Sequence, residues 1–170
     1  KSECKKCDEL GVEGYLTKPI IRNELLNTIL LVLSASASAA QTAFYPVSKY
    51  DAAGKVVKGG QILLVEDYPT NQEVAMAYLR NAGYEVDLAE NGLQAVELFG
   101  KKHYNLILMD IQLPEMDGYL ATKTIRKLEK EQNSSEKLDG ADAYGHTPII
   151  AMTAHSMFGD KERCFESGMD

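Results

Sequence analysis

Two stretches decide the fold: Ile62-Leu-Leu-Val65, which runs directly into Glu66 and Asp67, and Leu106-Ile-Leu-Met109, which runs into Asp110. Four consecutive apolar residues leave no polar face, so each reads as a strand buried on both sides. Such strands belong to parallel sheets covered above and below by helices.

Outward from these runs the hydrophobic period switches repeatedly. Pro69 suits a helix start, and Asn71 to Asn81 reads as a helix with Val74, Met76, Ala77 and Leu79 among its apolar positions and Gly83 as its stop. Tyr84 to Ala89 alternates and is predicted as a strand near the sheet edge. Asn91 to Lys102 reads as a helix with Leu93, Val96, Leu98 and Phe99 as its apolar face, and Gly118 to Glu131 as another with Leu120, Thr124, Ile125 and Leu128. Pro148 to Met152 is the next strand. Strands and helices that alternate through short loops imply right-handed parallel crossovers, hence an α/β, doubly wound parallel sheet. Between Gln132 and His146 the composition turns to Asn, Ser, Asp and Gly and reads as a surface insertion.

The 170 residues suffice for one good core with appendages. Hydrophobic residues make up 45% and charged residues 25%, which excludes a disordered chain, a collagen or a disulfide scaffold. Eighteen Lys and Arg against 25 Asp and Glu give a formal charge of -7, so there is no general basic footprint for nucleic acid or anionic lipid. The odd set Cys4, Cys7 and Cys164 suits a reducing compartment. Ile29 to Leu33 followed by Ser34 to Ala40 imitates a signal peptide, but the apolar core is short. It also follows Ile20-Ile-Arg-Asn-Glu-Leu-Leu26, whose spacing suits an amphipathic helix, and a membrane span needs about 20 apolar residues.

Ser34 to Gly60, rich in Ala, Ser and Gly, reads as a linker. A flexible chain of that length spans about 30 Å, the diameter of a small domain. The expected organisation is therefore residues 1–33 as a strand and helix piece, 34–60 as linker and 61–170 as the main domain. A repeat supports this division: Cys7-Asp-Glu-Leu-Gly-Val-Glu13 matches Cys164-Phe-Glu-Ser-Gly-Met-Asp170 at Cys, Glu and Gly, each Gly being followed by an apolar residue and an acid. The N-terminal copy continues into Gly14-Tyr-Leu-Thr-Lys-Pro-Ile20. The chain thus reads as opening in the tail of one domain and ending before the tail of a similar one.

Ligands of open parallel sheets bind beyond the carboxyl ends of the strands. The residues there are Glu66 and Asp67, Asp110, and Thr153. If the first and third strands are neighbours, about 4.8 Å apart, three carboxylates converge and each raises its neighbours' pKa unless a cation intervenes. Mg²⁺, an oxygen-seeking ion held by one or two carboxylates and a phosphate, is the natural occupant.

Leu64-Val-Glu-Asp-Tyr-Pro-Thr-Asn-Gln72, Leu108-Met-Asp-Ile-Gln-Leu-Pro-Glu-Met-Asp-Gly118 and Pro148-Ile-Ile-Ala-Met-Thr-Ala154 resemble the three signature blocks of response-regulator receiver domains, most closely those of hybrid sensor histidine kinases. The resemblance runs from 61 to 170 apart from the insertion, and Gly14-Tyr-Leu-Thr-Lys-Pro19 resembles the tail of a second receiver. It implies a flavodoxin-like sheet of order 2-1-3-4-5 and a phosphorelay role. Asp110 would be the nucleophile taking a phosphoryl group from a phosphohistidine. Asp67, Asp110 and the backbone carbonyl of Gln112 would hold Mg²⁺, with Glu66 acting through water, and Thr153 would donate its hydroxyl to a phosphoryl oxygen. Asp117 with Gly118 would open a helix, and Leu113-Pro114 would shape the loop beside the acceptor. The implied partner is the phosphohistidine of a histidine kinase or phosphotransfer domain. The implied setting is the cytoplasm, including the cytoplasmic part of a membrane-bound sensor kinase, with no nucleic acid and no direct membrane contact.

One departure matters. The family needs a lysine at the end of its fifth strand, and no such strand follows Asp170; the matching residue is Lys18, with Tyr15 at the aromatic switch position. Residues 14–20 could dock onto the fourth strand of the same chain or onto another copy in a domain swap, or the chain is a stretch of a longer tandem-receiver protein. Tethering favours docking in the same chain. An alternative function is a receiver-like interaction scaffold that no longer takes phosphate. An aspartyl-phosphate phosphatase would want a second acid where Gln112 stands. Cys4 and Cys7 have C-x-x-C spacing but lack the further ligands zinc needs, and read as two cysteines on one helix turn. His103, His146 and His155 read as exposed or loop residues, His155 being near enough to Thr153 to influence access.

Overall fold

The structure, a computed structural model, describes residues 15–37, 60–136, 146–154 and 158–170. Its elements in chain order are β1 (Tyr15–Thr17), α1 (Arg22–Ala37), β2 (Gln61–Val65), α2 (Pro69–Asn81), β3 (Glu85–Ala89), α3 (Gly92–Lys101), β4 (Leu106–Asp110), α4 (Gly118–Glu136), β5 (Ile149–Thr153) and α5 (Phe158–Ser167). The described strands form one parallel sheet of order β1-β5-β4-β2-β3. Read from the other edge, that is the expected 2-1-3-4-5 order with β1 in the fifth place. The strand after Thr153 is thus supplied from the N-terminal side of the same chain, pairing Tyr15 with Ala151, Leu16 with Met152 and Thr17 with Thr153.

The two apolar runs behave as their composition demands. Ile62 and Leu64 join Leu106, Leu108, Ile150 and Met152 on one face, while Leu63 and Val65 join Ile107, Met109, Ile149 and Ala151 on the other. The first face is covered by α1 and α2. In α1, Leu25, Ile29, Val32 and Leu33 recur at helical spacing and are buried, so this segment closes the core as well as the sheet. The second face is covered by α3, α4 and α5 through Ala95, Phe99, Ala121, Ile125 and Cys164.

Several details differ from the sequence reading. The innermost helix positions belong largely to small residues, Ala75, Ala95 and Ala121, whereas Leu93 and Leu120 are about half exposed. Helices lying close to a sheet leave room for a methyl group at the point of nearest approach, and the larger side chains flank it. α1 continues through Ala37, into the stretch read as linker, because Ala favours helix and Ser tolerates it. α4 likewise runs to Glu136, five residues into the stretch read as insertion. β3 is an edge strand as expected, Pro69 stands in the first turn of α2, and Gly83 ends that helix at φ 93°, a conformation open to glycine. Cys4, Cys7, the N-terminal repeat copy, His155 and the Tyr15 side chain lie outside the described residues.

Candidate functional site

Strand register brings the acids together. Val65 pairs with Met109, so Glu66 and Asp110 leave neighbouring strands at the same level, and Asp110 itself pairs with Met152 on β5. Carboxylate oxygens of Glu66, Asp67 and Asp110 all lie within 4.8 Å of one another, with Glu66 and Asp110 buried and Asp67 exposed. Lys18 joins them from β1. Its backbone N–H donates to Thr153 O at 2.8 Å, carrying the β1 pairing one residue past the strand end. From there the lysine stem crosses β5 to reach β4. Its Nζ stands 2.5 Å from Asp110 Oδ2 and 2.7 Å from Glu66 Oε2.

Local structure holds Glu66 and Asp110 in place. The first turn of α2 embraces Glu66: Oε1 accepts from Asn71 Nδ2 at 3.0 Å and from the Tyr68 N–H at 3.3 Å, and Gln72 Nε2 donates to the Glu66 carbonyl at 2.8 Å. Asp110 Oδ1 accepts from the Gln112 N–H at 3.0 Å. Gly118 permits the chain to fold over the acceptor, since a Cβ there would stand 2.2 Å from the Asp110 carbonyl oxygen. Asp117 does open α4, its Oδ1 accepting from the Leu120 N–H at 2.8 Å.

The electrostatics call for a cation. Burial pushes the Asp110 carboxyl above its ordinary range, and the hydrogen bond from Lys18 only partly reverses this. Burial would lower the Lys18 ammonium, but its hydrogen bond to Asp110 and the close Glu66 carboxylate outweigh it and hold the group above its ordinary value. Both shifts retain protons, as a cleft with three carboxylates and one ammonium should. Glu66 Oε2 is buried without a well-directed hydrogen bond among the described residues, despite the nearby Lys18. An all-oxygen, partly open, doubly negative cluster fits a hard divalent ion such as Mg²⁺.

Thr153 closes β5, next to Asp110's strand, and Gln112 touches the cluster through its N–H bond to Asp110. They line a cavity of about 460 Å³ with Ile111, Leu113, Asp117, Tyr119 and Arg163. The Arg163 guanidinium lies over the Tyr119 ring, 4.6 Å from its centroid. Asn71 and Gln72 stand in the first signature block with no role evident from the sequence, and Arg163 and Tyr119 carry no sequence signal because they belong to helices that only the fold brings together. His103 and His146 are exposed, as expected.

Known proteins are similar to this chain in sequence and fold. A family model for the response regulator receiver domain matches residues 62–170. The chain is 43% identical over 128 residues, 73% of its length, to hybrid signal transduction histidine kinase B of Dictyostelium discoideum, and covers 6% of that protein. Among solved structures it resembles the receiver domain of sensor histidine kinase PA1611 from Pseudomonas aeruginosa, which holds a magnesium ion in its active-site cleft. That match has a TM-score of 0.54 and 44% identity, covering 66% of this chain and 81% of that one. The receiver domain of Ssk1, solved with the histidine phosphotransfer protein Ypd1 of Saccharomyces cerevisiae, matches with a TM-score of 0.61 and 33% identity over 68% of this chain and 78% of that one.

Proposed function

The chain belongs to the response-regulator receiver family, and on that footing we propose that it accepts a phosphoryl group at Asp110 from a phosphohistidine in a phosphorelay. The observation that carries this reading is the meeting of Glu66, Asp67, Asp110 and Lys18 at one rim of the sheet. An Asp110 oxygen attacks phosphorus, the phosphorus–nitrogen bond breaks, and its electron pair leaves with the donor imidazole. Lys18 offsets charge on the transferring group, and the Thr153 hydroxyl donates to one of its oxygens. Asp67, Asp110 and the Gln112 carbonyl would hold Mg²⁺, with Glu66 acting through water; bound there, the ion neutralises charge that three acids and a phosphoryl group would otherwise share.

The added charge, roughly two negative units, biases a two-state equilibrium of the cleft and the β1 strand that borders it. The Lys18 to Asp110 contact supports this reading over a phosphate-free scaffold, for which a displaced lysine would be expected. The donor is a histidine kinase or histidine phosphotransfer domain. The expected setting is cytoplasmic, within a larger hybrid kinase carrying tandem receivers; among the described residues no helix is long and apolar enough to cross a membrane.

The test is beryllofluoride with Mg²⁺ added to the full chain. Binding is expected in the native sequence and its loss in Asp110→Asn; equal binding by both would refute the assignment.

A further inference from the structure

Two separate pieces of chain share the outer edge of β5. The Thr153 carbonyl accepts from Lys18, and Ile149, an even number of residues earlier, turns its backbone groups to the same side. There Asp170 serves both of them: its N–H donates to the Ile149 carbonyl at 3.0 Å, and its Oδ2 accepts from the Ile149 N–H at 2.9 Å. β1 takes up the edge beyond, from Ala151 to Thr153. The Asp170 end is fastened to α4, since Arg126 Nη2 donates to Asp170 Oδ2 at 2.7 Å and Arg126 Nε to the Gly168 carbonyl at 2.8 Å. One end of the slot for β1 is therefore built by α4 and residues 168–170, not by the segment that fills it. By sequence, moreover, β1 follows the motif of residues 7–13, whereas in the fold it completes an edge begun by the matching motif of residues 164–170. Register and shape suffice for docking, and covalent continuity at the junction is not required.

We infer that this slot is an exchange surface between copies of the chain: β1 and α1 of one copy dock beside β5 of a second, and the reverse, so that each Lys18 enters the other copy's acid cluster. The occupant is a second copy because the same strand, helix and lysine make the same contacts in either arrangement, and only the tether of residues 38–59 distinguishes the two. An undocked chain exposes the β5 edge together with Leu16, Leu25, Ile29 and Val32, all of them buried here. Reciprocal exchange covers both surfaces in both copies and leaves no edge open. A tether of that length confers an effective concentration of about 1 mM, so exchange rivals self-docking near that concentration. The functional consequence rests on the phosphoacceptor reading: in the exchanged pair, phosphoryl acceptance at one Asp110 depends on the lysine of the other copy.

In the experiment, two preparations of the full chain, one labelled with ¹⁵N and one with ¹³C, are unfolded together in urea and refolded at about 1 mM, the effective concentration of the tether. Nuclear Overhauser contacts between the Leu16 methyls of one label and the Met152 N–H of the other are expected, since these residues pair across β1 and β5. Light scattering should show a dimer. Refolding at about 10 μM should give monomers without those contacts. Absence of the contacts at the higher concentration, whether the chains are monomers or dimers, would overturn the exchange. A second arm refolds Lys18→Ala together with Asp110→Asn, neither of which has a complete site alone. Half of the dimers are then mixed and one site in each regains both residues, so about a quarter of the sites should bind beryllofluoride with native affinity as exchange completes. No such sites, where the native chain does bind, would contradict the inference. Contacts between labels in a native chain that binds no beryllofluoride would support the exchange and remove only the phosphoacceptor reading.

Discussion

Lys18 and Asp110, 92 positions apart in the chain, face each other as ammonium and carboxylate at 2.5 Å. The contact exists because β1 occupies the sheet edge beyond β5 and the lysine stem crosses that strand to reach β4. The cation of the site therefore depends on docking of an N-terminal segment, and stability and chemistry are coupled through it.

Replacing Lys18 by Ala leaves Glu66 and Asp110 without their ammonium. In the absence of divalent ions the variant is expected to lose about 2 kcal/mol of unfolding free energy. That is less than orphaning a fully buried partner costs, because the Lys18 side chain keeps 15% exposure. Added Mg²⁺ should restore most of the loss in urea denaturation; a deficit indifferent to Mg²⁺ would argue against a shared cation site.

The docked position of α1 can be tested by two leucines on its opposite faces. Leu25 is fully buried and Leu31 is 57% exposed. Leu25→Ala should destabilise by about 3 kcal/mol and Leu31→Ala by less than about 0.5 kcal/mol, read from denaturant midpoints. Comparable effects would place the helix with a different face toward the sheet.

Gly118→Ala puts a methyl group where the Asp110 carbonyl oxygen stands, 2.2 Å away. Backbone has to shift, at about 3 kcal/mol, and the acceptor moves with it. Lower stability should come with weakened beryllofluoride binding. A variant as stable and as active as the native chain would show that the approach is less close.

How much of this was legible follows from the range of each interaction. The strands at Ile62 and Leu106 were readable because burial on both faces writes itself into four consecutive residues, and the acids that close them could be placed at one rim. Whether Lys18 would reach Asp110 was not readable: three placements of residues 14–20 satisfied the same pattern, and only the sheet edge distinguishes them. The Ala and Ser run from Ser34 onward was misread in part, since small residues serve a helix end as well as a linker. Also invisible was the cluster at the opposite end of β5. There Arg126 Nη2 donates to Asp170 Oδ2 at 2.7 Å, Arg126 Nη1 to the Thr147 carbonyl at 2.7 Å, and the Thr147 N–H to Glu129 Oε1 at 2.6 Å. These partners share no spacing rule; three elements have to be packed before they meet.

That cluster gives a pH prediction. His146 Nε2 lies 2.5 Å from Asp170 Oδ1 and Nδ1 lies 3.5 Å from Glu129 Oε2. Its hydrogen bonds to Asp170 and Glu129 raise the imidazole from 6.5 to about 9, against burial and the Arg126 charge. A raised value in the folded state means that protonation favours folding. The contribution is complete below about pH 6 and is lost as pH rises through about 9. The stability difference between the native chain and His146→Ala, measured by urea denaturation, should therefore shrink toward alkaline pH. A difference that grows with pH would have the wrong sign for this account.

The central claim is that Asp110 carries the phosphoryl group, and the direct measurement is its chemical address. The full chain is incubated with acetyl phosphate and Mg²⁺, the acyl phosphate is trapped by borohydride reduction, and the modified residue is located by mass spectrometry. Modification at Asp110, absent in Asp110→Asn and much reduced in Lys18→Ala, is the predicted result. A chain that binds Mg²⁺ yet takes the label at another residue, or takes none, would contradict it.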